Sequence, residues 1–487
     1  MSQFLLYYQR PEPTTWVYLS SFLTIGLYFV FHRFWSARNL DIFLLILLAP
    51  GILMVHEGRK ANELAQTQLQ RGTPLAAEGA TGTSVPRVAE TVPAETLTAL
   101  QNPLPNEGIG EIAAEPASAA DRLEFSGFLW LLSVELAILI RLLIDPMMVR
   151  RPLLDPNLTT GGLAFIGVSM LMFLMGNVIN SRPQTPGEQG PQLGPGYPVL
   201  NMLPAIPTIP ESRQAVDANH VDKLSGDLTP APVEYAAVAR TLAILAHLAV
   251  VIGITLVGHI HFSNFKAGAG CATLYLMLPY TAQMTGRVDH VLPAALLVWA
   301  VLMYRRPLVA GICLGLAAGL VYYPAFLLPL WLGFYRSRGI GRFTIGVVAV
   351  VLVLTVLLSL GGSEKFFERL IQMYGLWLPR QENLEGVWSH WQTIWRFPVL
   401  VGFALLSGLY AVWPSQKNLG TLISCSAALM VAAQFWHGFG GGLFIGWFLP
   451  LLLLTIFRPN LEDRVATKVV GDGPRRTTPD RLEPALS

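Results

Sequence analysis

The sequence predicts an all-α fold: a polytopic transmembrane helix bundle of about eleven spans, joined by a re-entrant helical hairpin and interrupted by two long disordered loops. Three observations carry this. Hydrophobic residues fill 53% of the 487 positions and charged residues only 13%, with a mean hydropathy of +0.49, outside the balance of soluble domains. The apolar residues gather into runs of the length needed to cross a hydrocarbon core of about 30 Å. One apolar block, Arg305 to Arg338, carries basic residues at both ends. The formal net charge of +2 points to no nucleic-acid partner, and the partner is the lipid bilayer. Cys271, Cys313 and Cys425 all lie inside apolar runs without metal-ligand spacing, so they read as packing residues and no metal site is expected.

Taken in order, residues 1–55 hold two spans, Trp16 to Phe31 and Leu40 to Val55. Basic residues follow the first run instead of preceding it, which argues against a secretory signal. Residues 56–124 are rich in Ala, Glu, Thr and Pro and poor in aromatics, a composition expected to stay disordered. Residues 125–179 form a helix pair, Phe125 to Ile144 and Leu158 to Val178, with Arg150 and Arg151 between them. Residues 180–234 are a second polar, Pro-rich loop. The transmembrane core occupies 235–361 and includes the hairpin at 307–334. An interfacial segment, 362–398, carries Trp377, Trp388, Trp391 and Trp395, whose rings suit the membrane boundary. Residues 399–457 supply the last spans and 458–487 a cytoplasmic tail.

As one straight helix, Pro307 to Phe334 would reach about 42 Å, too long for one crossing and too short for two. The chain breaks itself at Tyr322-Tyr323-Pro324, where proline removes a backbone donor and drives its predecessor out of the helical region. Two half-helices entering and leaving on one face fit this; a long, tilted, kinked helix is the alternative. Placing Arg33, Arg38, Lys266, Arg305, Arg306, Arg336, Arg338 and Lys417 on the cytoplasmic side leaves the other links alternating only if the block does not cross. The N-terminus, the two Pro-rich loops, the link Thr285 to His290 and His437 then face outward, in a multi-pass cytoplasmic (inner) membrane protein.

Few residues invite chemistry. Glu57, beside His56 at the outer end of the second span, could take a proton as general base; the plainer reading is a charge that ends the helix. Arg287, Asp289 and His290 share the outward turn TGRVDH, where a guanidinium could grip a phosphate and the Asp or His could orient an acceptor or carry a proton; an ordinary polar turn is the alternative. Glu135, in mid-span, costs about 2.5 to 3.5 kcal/mol to insert and should face the bundle interior, as a functional group or bonded to another helix. Arg141, six positions on, lies off its helical face. Tyr322 and Tyr323 could aim hydroxyls into a cavity at the hairpin tip, or simply line helix contacts. His247, His259 and His261 lack the spacing of a zinc site. Gly311, Gly315 and Gly319 form a small-xxx-small stripe, a packing device.

The run from about Gln283 to Arg338 has a polar outward turn, an apolar span, a basic pair and then P-xx-AG-xx-LGLAAG-xxx-YP-xx-LLP. It resembles a stretch of the GT-C superfamily of polytopic glycosyltransferases, and most of all the bacterial polyprenyl-phosphate-mannose-dependent mannosyltransferases. The resemblance implies transfer of a sugar from a polyprenyl-phosphate donor to an acceptor at the outer face, with an acidic early-loop residue as base, a role Glu57 fits best. It implies no cofactor beyond that lipid-linked donor, with a divalent cation as an optional companion of its phosphate. The pattern departs at Val321, where that branch carries a lysine, and at Gly286-Arg287, where it carries Gly-Gln. A transporter or flippase would instead line a central pathway with Glu135, His247 and the broken hairpin, and an envelope assembly scaffold would work through its two loops.

Overall fold

The computed structural model describes residues 12–72, 107–148, 154–181, 203, 206, 233–360, 384, 386–438 and 442–459. Most of the two expected loops, Arg150, Arg151, Trp377 and the tail beyond 459 lie outside the described residues. Those described form helices and no strands. The chain divides into two units, Pro50–Leu131 and the remainder.

The larger unit opens with α1 (Pro13–Tyr28), started by a proline in its first turn. It takes the beginning of α2 (Ala37–Gly72) and the end of α3 (Glu107–Ile144), then α4 (Thr160–Asn180). Next come α5 (Val233–Leu256), closing in a π turn at Val257–His261, α6 (Phe265–Met277), α7 (Pro279–Gln283) and α8 (Val288–Leu302). The block of interest follows as α9 (Pro307–Leu320) and α10 (Leu328–Tyr335), and then α11 (Ile340–Leu360). A short α12 (Val387–His390) precedes α13 (Arg396–Val412), α14 (Leu419–Trp436) and α15 (Leu449–Phe457).

Among the described residues seven helices are long and apolar enough to cross a membrane, against about eleven spans expected. The other four expected spans fall on α1, α6, α8 and α15, each of 16 residues or fewer. Of these, α6 stops early because Pro279 starts a new helix inside an apolar run that hydropathy alone reads as continuous. The core gathers on α14, buried over 94% of its length and closed at its start by a reciprocal Asn418–Thr421 cap.

The Arg305–Arg338 block is two half-helices joined by a 3-10 turn, Tyr323–Leu327. Its ends come back together: the Tyr335 hydroxyl donates to the Tyr304 carbonyl at 2.6 Å, and the Tyr304 and Phe334 rings meet at 6.3 Å. That closure is the geometry of a hairpin and not of one kinked helix. The glycine stripe faces α11 in matching order, Gly311 at Phe343, Gly315 at Val347 and Gly319 at Leu354. Hence α9 and α11 run parallel, as they must if α10 is the return limb. A Cβ at residue 311 would sit 2.2 Å from the Phe343 carbonyl oxygen, so only glycine permits this approach.

The unit Pro50–Leu131 is an antiparallel helix pair, with Gly58 against Glu124, Val55 against Gly127 and Gly51 against Leu131. Arg59 pairs with Glu124 at 3.0 Å and Asn62 donates to Asp121 at 2.7 Å. The disordered loop expected at 56–124 is therefore corrected at both ends, since helix persists to Gly72 and resumes at Glu107. The cause is intrinsic: Ala, Glu, Gln, Lys and Arg are strong helix formers whatever their apolar content, and facing charges tie the pair together.

Candidate functional site

The Thr285–His290 turn, the hairpin tip and the segment after α14 meet in one polar and aromatic cluster within the larger unit. Arg287 closes the short bend after α7 and lays its guanidinium on Asp289 through two bonds, 3.0 and 2.8 Å. Burial alone would raise the Asp289 carboxyl, but Arg287 and then His290 hold it below the ordinary carboxylate range. His290 stands 3.6 Å from that carboxylate by Nε2, and its Nδ1 lies 2.5 Å from the Tyr280 hydroxyl. Trp447 donates its indole N–H to the Asp289 carbonyl at 3.2 Å.

From there the cluster runs to the hairpin through tilted and edge-on ring contacts. Phe444 lies 4.4 Å from His290 and 4.6 Å from His437, centroid to centroid. The Tyr323 hydroxyl, fully buried, donates to His437 Nδ1 at 2.5 Å, and Tyr322 donates to Tyr323 at 2.9 Å. Burial, then the charge of Arg396 and of His290, holds the His437 imidazole well below its usual range, so it stands neutral as an acceptor. Arg396, at the start of α13, is 5% exposed and donates from Nε to the Trp436 carbonyl at 2.7 Å. It lies near enough to Tyr322 and Tyr323 to act on both electrostatically.

Two glycines shape the far side. Gly442 has φ +92°, a conformation that favours glycine, and its missing Cβ would lie 3.2 Å from Glu135 Oε2. A Cβ on Gly446 would lie 3.0 Å from the His290 carbonyl. Glu135 is fully buried, and neither carboxylate oxygen has a hydrogen-bond partner among the described residues. Arg141 pairs instead with Asp41 at 2.8 Å and Asp145 at 3.2 Å; Asp145 also meets Arg458 at 2.5 Å.

The turn residues Arg287, Asp289 and His290 and the tip residues Tyr322 and Tyr323 are thus brought together. Glu57 and His56 belong to the other unit, where the Glu57 carboxylate is 42% exposed and 4.0 Å from Lys60. His247 is committed, its Nε2 to the Thr285 carbonyl at 3.1 Å and its Nδ1 to the Tyr275 hydroxyl at 3.0 Å, which removes it from any open pathway. Trp388 is packed inside the protein, 6% exposed and donating to the Phe435 carbonyl at 3.0 Å, whereas Trp391 and Trp395 are exposed. Among the described residues no group of three or more His, Cys, Asp or Glu could hold a metal ion. Sequence reasoning missed Arg396 and His437. Arg396 had one available signal: it is a cation at the end of a stretch placed outward, against the positive-inside tendency that orients the rest.

Fold and cluster together define a multi-pass helical membrane protein whose polar groups collect at the tip of a hairpin. Residues 228–447 match the family described as glycosyltransferase family 87. That stretch includes every member of the cluster, from Tyr280 to Trp447, and the match supports a membrane glycosyltransferase. No curated protein and no solved structure matches the chain.

Proposed function

We propose that this protein is a membrane glycosyltransferase moving a hexose, mannose-like, from a polyprenyl-phosphate donor to an acceptor hydroxyl at the outer face of the cytoplasmic membrane. The observation that carries the reading is the convergence of the Arg287–His290 turn, the Tyr322–Tyr323 tip and Arg396 around His437. A lipid-linked sugar phosphate needs a cation for its anionic oxygen and hydroxyls or rings for the sugar, and these groups offer both.

In this reading Arg396, beside the tyrosine pair, receives the donor phosphate, which matters because Val321 offers no cation. The aromatic wall of Phe444 and Trp447 supports the sugar. The acceptor oxygen bonds to the anomeric carbon as the carbon–oxygen bond to phosphate breaks. Polyprenyl phosphate leaves with that electron pair, and the acceptor proton passes to Asp289, which Arg287 and His290 hold in place. With its carboxyl held low, Asp289 is a weak base in the resting site, so transfer of the proton follows bond formation instead of preceding it. Glu57 remains the alternative base that the GT-C resemblance favours.

The test is sugar transfer by the full-length protein in proteoliposomes supplied with a synthetic polyprenyl-phosphate hexose. Arg287→Ala and His437→Ala should each abolish transfer while eluting as folded protein. Normal transfer by both would remove the site from the reading, and Glu57→Gln run alongside decides between the two carboxylates.

A further inference from the structure

A separate cleft lies within the larger unit. The turn between α1 and α2, the approach to α4 and the start of α6 enclose a cleft of about 750 Å³. None of its lining residues belongs to the Arg287 cluster. Its lining includes Arg33, Arg38 and Lys266 as cations, His32, and Asp155 as an anion. Three positive charges against one negative leave a surplus of two.

The cleft is a built structure. Arg38 donates to the Tyr28 carbonyl at 3.0 Å and to the Asp155 carbonyl at 2.6 Å, tying two walls together. Asn157 donates to the Gly26 and Phe29 carbonyls, each at 3.1 Å, and Asn39 pins the turn through Val30, Arg33 and Phe34. Lys266 reaches Asp155 at 2.9 Å. Arg33 differs from these: its guanidinium is exposed at the cleft and makes no hydrogen bond or ion pair among the described residues. Beside it stand three open aromatics, Phe31 at 71%, Phe34 at 60% and Trp35 at 95% exposure. Along α2, Leu40 and Phe43 continue the apolar surface, each at least half exposed.

A surplus of cation around a cleft, bordered by aromatics that seek the boundary between water and hydrocarbon, matches a ligand with a charged head and apolar tails. We propose that the Arg33–Arg38–Lys266 cleft binds the phosphodiester headgroup of an anionic phospholipid, with Phe31, Phe34 and Trp35 seated at the membrane boundary beside it. The headgroup phosphate takes Arg33 and Lys266, and the acyl chains lie against the exposed aromatics and the flank of α2. A free phosphate would meet the same cations but gain nothing from the aromatic rim.

Native mass spectrometry of the full-length protein in detergent, titrated with phosphatidylglycerol or phosphatidylcholine, tests this. Phosphatidylglycerol should be retained in preference to phosphatidylcholine, and Arg33→Gln should weaken it about fivefold, Arg33→Gln/Lys266→Gln further still. Equal retention of the two lipids overturns the proposal, as does unchanged binding by Arg33→Gln. Displacement of the lipid by millimolar inorganic phosphate would likewise overturn it, since the cleft would then be a free-anion site. If the double variant does not elute as the wild type does, Arg33→Gln alone decides, because it alters only an exposed side chain outside the bundle's hydrogen bonds.

Discussion

Arg396 offers the sharpest test of the site. Truncation to Gln removes two things: the 2.7 Å bond from Nε to the Trp436 carbonyl, and the positive charge beside Tyr322 and Tyr323. A hydrogen bond involving a charged group contributes about 1.5 to 3 kcal/mol. With the side chain only 5% exposed, solvent screening does little to reduce that range. If the charge meets the donor phosphate, kcat/KM for a polyprenyl-phosphate hexose should fall roughly 10- to 150-fold at one decade per 1.36 kcal/mol. Arg396→Lys should recover part of the loss, because it restores the charge without the planar fork. The assay is initial transfer rate against donor concentration in proteoliposomes, with elution profile and thermal unfolding recorded for each variant. Unchanged kcat/KM in folded Arg396→Gln would refute the phosphate role. A fall in stability with no change in kinetics would leave Arg396 as a strut holding the end of α14.

Three further outcomes are expected. Asp145→Asn removes a buried carboxylate shared by Arg141 and Arg458 and should cost about 3 to 5 kcal/mol, whereas Asp145→Leu/Arg458→Met should recover most of it; thermal and SDS unfolding compare the two. Cysteines placed at Arg306 and Arg338 should label from the same side of sealed vesicles, and opposite-side labelling would mean that the block crosses. His437 has a folded pKa below its unfolded value of about 6.5, so the unfolded chain binds the extra proton and stability should fall as pH drops below that point. His437→Gln should flatten that part of a stability–pH curve, and an unaltered curve would show that His437 is not the titrating group.

Much of the fold was legible because its causes are local. Hydropathy marked the apolar helices, Pro324 marked the break in the block, and the basic residues at both ends anticipated the return of Tyr335 to Tyr304. The glycine stripe was correctly readable as packing, though its partner, α11, was not named by the spacing. Helix lengths were less legible, since a run of apolar residues does not reveal where Pro279 ends one helix and begins another. The helical extensions to Gly72 and from Glu107 escaped a reading that weighed apolar content above helix propensity. In the cluster, Arg287, Asp289 and His290 were visible because they adjoin in sequence. Arg396 and His437 were not, because their nearness to Tyr322 and Tyr323 arises from α13 and α14 folding back over the hairpin, across gaps of some 70 to 115 residues that no motif spans.

The parallel pairing of α9 with α11 has a consequence for biosynthesis. The return limb α10 separates them, so the glycine stripe has no surface to settle on until the chain has been made as far as Leu354. The tip then still lacks His437, which lies more than 80 residues further along, and Tyr323 must wait for it to gain its hydrogen-bond acceptor. A ribosome delivering this protein therefore inserts the half-helices early and completes their polar crown late. Truncations ending before α14 should leave the hairpin as the first segment exposed to membrane quality control.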